Sequence, residues 1–236
     1  MRFRRFSLIT VLSLGLVTPL VAQQGPAPAG GADHVSAIKE SLKNSIAELH
    51  GYKWVETTMI SIKGEEKSSI QKSCYYGTDG QVQKTPIGEP AEQKKERGLR
   101  GKIVEKKKAE ITDSMQEAIA LVKQYVPPDP AKIQAARNAG NLSVVPPDAQ
   151  GNVKVVIKDY LKPGDSLTLD ANAATNRVTG MAVSSYTDTA KDAVGLTVTF
   201  GAFADGTVYA ATTNLTVASK DLEVAITNSG YEKLGG

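Results

Sequence analysis

The residues able to do chemistry are few and scattered. The chain of 236 residues holds one cysteine, Cys74, and two histidines, His34 and His50. A nucleophilic thiolate needs a neighbouring base, and a zinc-type site needs several imidazole or thiolate ligands at fixed spacing. Cys74 lies in the strand-like run "SIQKSCYYG", where a lone thiol serves as a small buried hydrophobe. His34 and His50 mark the two ends of one amphipathic stretch, too far apart to share an ion. No G-x-S-x-G, H-E-x-x-H, C-x-x-C, P-loop or G-x-G-x-x-G pattern occurs. Asp170, Asp188 and Asp192 could in principle pair for glycoside chemistry or hold Ca²⁺. Aspartate is also an ordinary turn residue, because its side chain caps local backbone groups, and that reading is preferred here. The expectation is a protein that is not an enzyme, with no cofactor and no metal.

The first 22 residues read as an export signal. Arg2, Arg4 and Arg5 precede the apolar run "FSLITVLSLGLVTPLV", and Ala22 supplies a small residue at which cleavage can occur; an uncleaved anchor is the rival reading. "LVAQQGPAPAGG" has no cysteine for lipid attachment. The expected location is the periplasm or the exterior, with no stable membrane anchor after cleavage. The whole chain carries 28 Lys and Arg against 25 Asp and Glu, but residues 1–22 hold three Arg and no acid, so the remainder has 25 of each sign. That balance removes the global support for nucleic-acid binding, which draws its affinity from cations on phosphates. A basic stretch, "EQKKERGLRGKIVEKKK" at 92–108, reads as a solvated loop running into a charged helix face.

These residues must be positioned by a core, since one cysteine makes no internal disulfide. Residues 23–32, two Gln followed by Pro, Gly and Ala, read as a disordered linker; residues 33–236 read as a single domain. Val35, Ile38, Leu42, Ile46 and Leu49 recur every three or four positions, with Asp33 as the expected N-cap and Gly51 as the stop. The period then becomes two. Trp54, Glu56, Thr58, Ile60 and Ile62 share one strand face, a return strand runs from Ser68 to Tyr76, and Asp79-Gly80 turns into a third. From about 100 to 126 a helical stripe holds Ile111, Met115, Ile119 and Val122. Pro127 and Pro128 stop it, and Asp129-Pro130 suits the start of a short helix that Gly140 ends. After "VVPPDAQGN" five or six strands follow, large and apolar on one face. The other face is expected to be small and polar, with Thr197, Thr199, Ala211, Thr213, Ala225 and Thr227. The pattern predicts an α+β fold, a curved antiparallel sheet with helices packed on one face.

A chain that opens with an amphipathic helix, continues through "YKWVETT" and "CYYGTDGQVQKT" and includes "VKVVIKDYLKPGDSLTLD" resembles the periplasmic lipoprotein-carrier, or LolA-like, superfamily. It is similar also to secreted bacterial proteins of unknown function with the same Trp strand and turn. The resemblance implies an incomplete barrel plugged by helices that holds acyl chains or senses lipoproteins. Carriers of that kind use an arginine within the sheet to hold the helices shut; Arg177 matches that role by type alone. The candidate ligand-lining residues are Trp54, Ile60, Ile62, Met115 and Ile119, each with ordinary core packing as its alternative. Two functions stay open: an exported binder or sensor of a lipid or acylated peptide, and a structural or protein-interaction module of the envelope with no ligand cavity.

Overall fold

The computed structural model describes residues 30–88, 99–149, 151–175 and 177–235, with side chains described outside 30–39 and 99–104. Residues 1–29 and 89–98, on which the expected export signal, most of the expected linker and the first part of the basic stretch fall, lie outside the described residues. Helix α1 (Gly30–Leu49) leads into three strands, β1 (Tyr52–Ile62), β2 (Glu65–Tyr76) and β3 (Val82–Ile87). Helices α2 (Leu99–Val122) and α3 (Pro130–Asn138) follow. Seven more strands complete the chain: β4 (Leu142–Val145), β5 (Asn152–Lys158), β6 (Ser166–Asn172), β7 (Arg177–Tyr186), β8 (Ala193–Ala202), β9 (Val208–Val217) and β10 (Leu222–Lys233).

Local chemistry explains most of these boundaries. Lys63 and Gly64 both take positive φ in the two-residue β1–β2 turn, the geometry whose twist matches that of the flanking strands. In the next turn the Gln81 N–H donates to Asp79 Oδ1 at 3.0 Å, and Gly80 has φ +73°. Asp129 caps α3 by accepting from the Ala131 N–H at 2.8 Å, with Pro130 in the first helical position. Helix α1 departs from expectation, because it starts at Gly30, one turn ahead of Asp33, so Asp33 is not its cap and residues 30–32 are helical. β4 is also additional: four residues before a Pro-Pro pair are too few to show a period of two.

All ten strands form one antiparallel sheet in the order β3-β2-β1-β10-β9-β8-β7-β6-β5-β4. Two meanders, β1 to β3 and β4 to β10, are joined where the first strand pairs with the last. The sheet does not close, since β3 and β4 end it on opposite sides. Register breaks in the β1–β2, β1–β10, β6–β7 and β8–β9 pairs add local twist and curvature. One break flips part of β9: Thr213 pairs with Val198 and Ile226, so it faces inward, and Ala211 falls at the bulge. The polar outer face carries Thr212, Asn214 and Thr216 instead, a parity that a single extra residue reverses.

The inner face holds the core. Ile157 and Leu167 are fully buried, Val194 nearly so, and they join Val155, Leu169, Val183, Leu215 and Leu222 in one apolar cluster. Each such aliphatic side chain contributes about 1.5–3 kcal/mol by burial. Only the C-terminal half of α2 seals this cluster. Glu105–Glu110 are exposed, Ile111, Met115 and Ile119 are half-buried, and Ala118, Leu121 and Val122 are buried. Just beyond the helix, Tyr125 is fully buried; its hydroxyl donates to Asp165 Oδ2 at 2.5 Å and lies 2.8 Å from Ser185 Oγ. Asp165 also accepts from the Leu161 and Lys162 N–H groups, so this buried carboxylate is fully hydrogen-bonded. Helix α1 covers a second, smaller cluster, where Leu42 packs with Ala171, Val178 and Val208, and Ser45 Oγ accepts from the Val208 N–H at 2.9 Å.

Candidate functional site

The inner face of β1 changes character along its length. Alternation places Tyr52, Trp54, Glu56, Thr58, Ile60 and Ile62 on that face, aromatic at one end and aliphatic at the other. Ile60 and Ile62 are half-buried against the main cluster, and Met115 and Ile119 of α2 are half-buried against the same cluster. Ile111 and Ile226 extend the band. On β2, Ile70 stands in register with Thr58 and is 45% exposed, so the apolar surface continues beyond the shelter of the helix.

Trp54 belongs to the other end. It is buried, its indole N–H donates to Asn228 Oδ1 at 3.1 Å, and its ring lies 5.7 Å from those of both Tyr76 and Tyr231. Tyr231 continues to Tyr209 at 4.5 Å and Phe203 at 5.2 Å, Phe203 stacks on Tyr52 at 4.9 Å, and His50 stacks on Tyr76 at 4.4 Å. A bulge makes this possible. Trp54 faces both Gly230 and Tyr231 of β10, and Gly230 takes φ +61°, a conformation open to glycine without steric cost. The five residues singled out from the sequence therefore divide: four pack in part against the main aliphatic cluster, and Trp54 sits in an aromatic stack.

Between the two ends lies a charge. Glu56 is buried and pairs with Lys84 of β3 at 2.5 Å, while the Lys84 side chain remains 39% exposed. Cys74, opposite Trp54 in register, is fully buried. Burial above all, with the Glu56 carboxylate second, pushes its thiol above the ordinary range and makes it a poor nucleophile. Burial raises the Tyr76 and Tyr231 hydroxyls in the same way, with Tyr209 and Tyr76 adding to the effect on Tyr231. Glu56 was visible on the Trp face of the strand pattern, but its lysine partner, the stacking tyrosines and Asn228 carried no signal in local sequence.

Asp170 lies in β6 beside Lys154, and Asp192 accepts from Thr189 Oγ1 at 2.8 Å within a turn. Arg177 does not sit under the helices: Val178 points inward, and the Arg177 guanidinium lies against Gly206, where a Cβ would stand 2.3 Å from Nη2. Among the described residues no group of three or more His, Cys, Asp or Glu is placed to hold a metal, and no helix is long and apolar enough to cross a membrane. Two cavities, of about 440 and 590 Å³, lie away from the helix–sheet interface, one on the outer face of β5 to β8 and one beside the β1–β2 turn.

The architecture defines the class: an α+β half-barrel, ten-stranded and open, with helices on its inner face. No family model matches the chain, and no curated protein matches it. Among solved structures it is similar to a LolA superfamily protein from Nitrosomonas europaea, at 6% identity and a TM-score of 0.37 over 84% of this chain and 94% of that one. It is similar also to a DUF1329 family protein from Desulfovibrio piger, at 7% identity and a TM-score of 0.33 over 85% and 94%. The functional reading rests on this chain's own side chains.

Proposed function

We propose that this is an exported, non-enzymatic protein of the cell envelope that holds a hydrophobic ligand, a lipid or acylated peptide, between its sheet and α2. In this reading residues 1–22 are removed as a signal, 23–29 remain a linker, and the rest folds as one unit without a cofactor. The observation that carries it is the half-buried aliphatic band: Ile111, Met115 and Ile119 on the helix and Ile60, Ile62 and Ile226 on the sheet all pack only in part against the main cluster, and Ile70 adds exposed apolar surface on the same sheet face. A helix that merely completed a core would bury its stripe throughout, as Ala118, Leu121 and Val122 do. An acyl chain laid along the band would remove the remaining apolar area from water at about 25 cal/mol per Å².

One observation favours the alternative, an interaction module without a ligand. Neither described cavity lies between α2 and the sheet, and β3 and β4 are edge strands to which a partner strand could add. Native mass spectrometry of the protein purified from its own envelope separates the two. A co-purifying lipid or acylated peptide, lost from an Ile60→Thr variant, is the expected result; bare protein in a stable complex with another protein would reverse the order of the two readings.

A further inference from the structure

The outer face of the sheet carries a groove, apart from the apolar band. Strand register aligns Lys154, Asp170, Gly180 and Thr199 in one row across β5, β6, β7 and β8, and Ala182 with Thr197 in the next. Gly180 and Ala182 form a low floor between taller neighbours, and Val145 and Pro146, where the chain leaves β4, rise beside it. The result is a groove of about 440 Å³, within the usual range for small-molecule sites. The missing side chain at Gly180 matters. A Cβ there would lie 3.0 Å from Asp170 Oδ2, so the carboxylate is laid over the strand backbone and into the groove.

The lining chemistry narrows the occupant. Lys154 Nζ lies 3.6 Å from Asp170 Oδ1, and the lining adds a second carboxylate, Asp148, which accepts from Asn152, so an anionic ligand finds no surplus cation. The wall is too polar for an acyl chain, because Asp170, Lys154 and the Thr197 and Thr199 hydroxyls break the apolar surface on both sides. A flat ring with one C–H face and a rim of hydroxyls meets both demands. Its C–H face would cover Ala182, Gly180 and the Val145–Pro146 wall, while its hydroxyls meet a carboxylate, an ammonium and two threonines. Hydrogen bonds to charged groups are stronger than neutral ones, which favours a polyol over apolar rings of similar size. We propose that this groove binds a short neutral saccharide.

The test is titration of the isotope-labelled full chain with maltose, cellobiose and di-N-acetylchitobiose, followed by amide chemical shifts, with glycerol as the control. At least one disaccharide is expected to shift the signals of Asp170, Gly180 and Thr197 saturably, with a Kd of about 1 mM. Gly180→Val, which fills the floor and displaces Asp170, is expected to weaken binding by about tenfold or more, and Thr199→Val by about threefold, converted to free energy by the usual relation. Thr199 is exposed, so the second variant keeps the test valid should the first disturb the strand. Overturning results are an absence of saturable shifts at these residues with all three sugars, the same shifts from glycerol, or binding unchanged in both variants.

Discussion

The two ends of the β1 inner face solve the same problem differently. From Tyr52 to Glu56 the sheet buries itself: rings from β1, β2, β9 and β10 stack on one another, and an ion pair reaches across from β3. From Thr58 to Ile62 the same face joins the aliphatic cluster that α2 caps, and it is buried only in part. The first arrangement leaves its rings mutually satisfied and offers little to a guest. The second leaves aliphatic surface half-wet, which is costly unless something else covers it. The proposed ligand site falls at the aliphatic end and the stacked rings at the other, and substitutions at each should separate binding from stability.

The largest loss is expected from Trp54→Ala, which removes the centre of the aromatic stack and the hydrogen bond to Asn228. Urea unfolding should show about 3–5 kcal/mol less stability with ligand retention per folded molecule unchanged. Next comes Lys84→Met. It leaves buried Glu56 without its partner and should cost about 3 kcal/mol, whereas Glu56→Gln should cost less, because exposed Lys84 can turn to water. Equal losses from the two would show that burial of Glu56 is not what makes the pair matter. Tyr125→Phe, at the α2 end of the molecule, should cost about 1–2 kcal/mol through the lost hydrogen bond to Asp165.

Smaller still in stability, but decisive for the contrast, is Ile60→Thr. A loss of about 1 kcal/mol in unfolding should accompany loss of co-purifying ligand, while Met59→Thr on the opposite face should retain the ligand. Retention by both variants would overturn the proposed binding role of the band. The mildest probe needs no mutation. With its thiol buried and pushed up, Cys74 should resist a thiol-specific chromogenic reagent in the folded protein at neutral pH and react once urea unfolds it.

How much of this was legible in the chain differs by residue. The meander of β1 to β3, the helical stripe around Met115 and Ile119, and the Asp129-Pro130 start of α3 were all readable, because periodicity and capping act over a few residues. β4 was not, being too short, and the inward turn of Thr213 was not, because it depends on a one-residue bulge at Ala211. The division of the candidate site was equally invisible. Trp54 and Ile60 share a strand face and read alike locally, yet Trp54 meets Asn228, 174 residues away, while Ile60 meets the cluster under α2.

The sequence by itself determined the elements, the alternation that sorts side chains to two faces, and the poverty of catalytic groups. These follow from short-range sterics and from residue types that no fold can change. Only the tertiary structure decided which ends of the inner face close on themselves and which stay open, and that Lys154, Asp170, Gly180 and Thr199 form one row. Those outcomes depend on strand order and register, set by the pairing of β1 with β10 and by single-residue bulges, and such long-range geometry has no counterpart in local sequence.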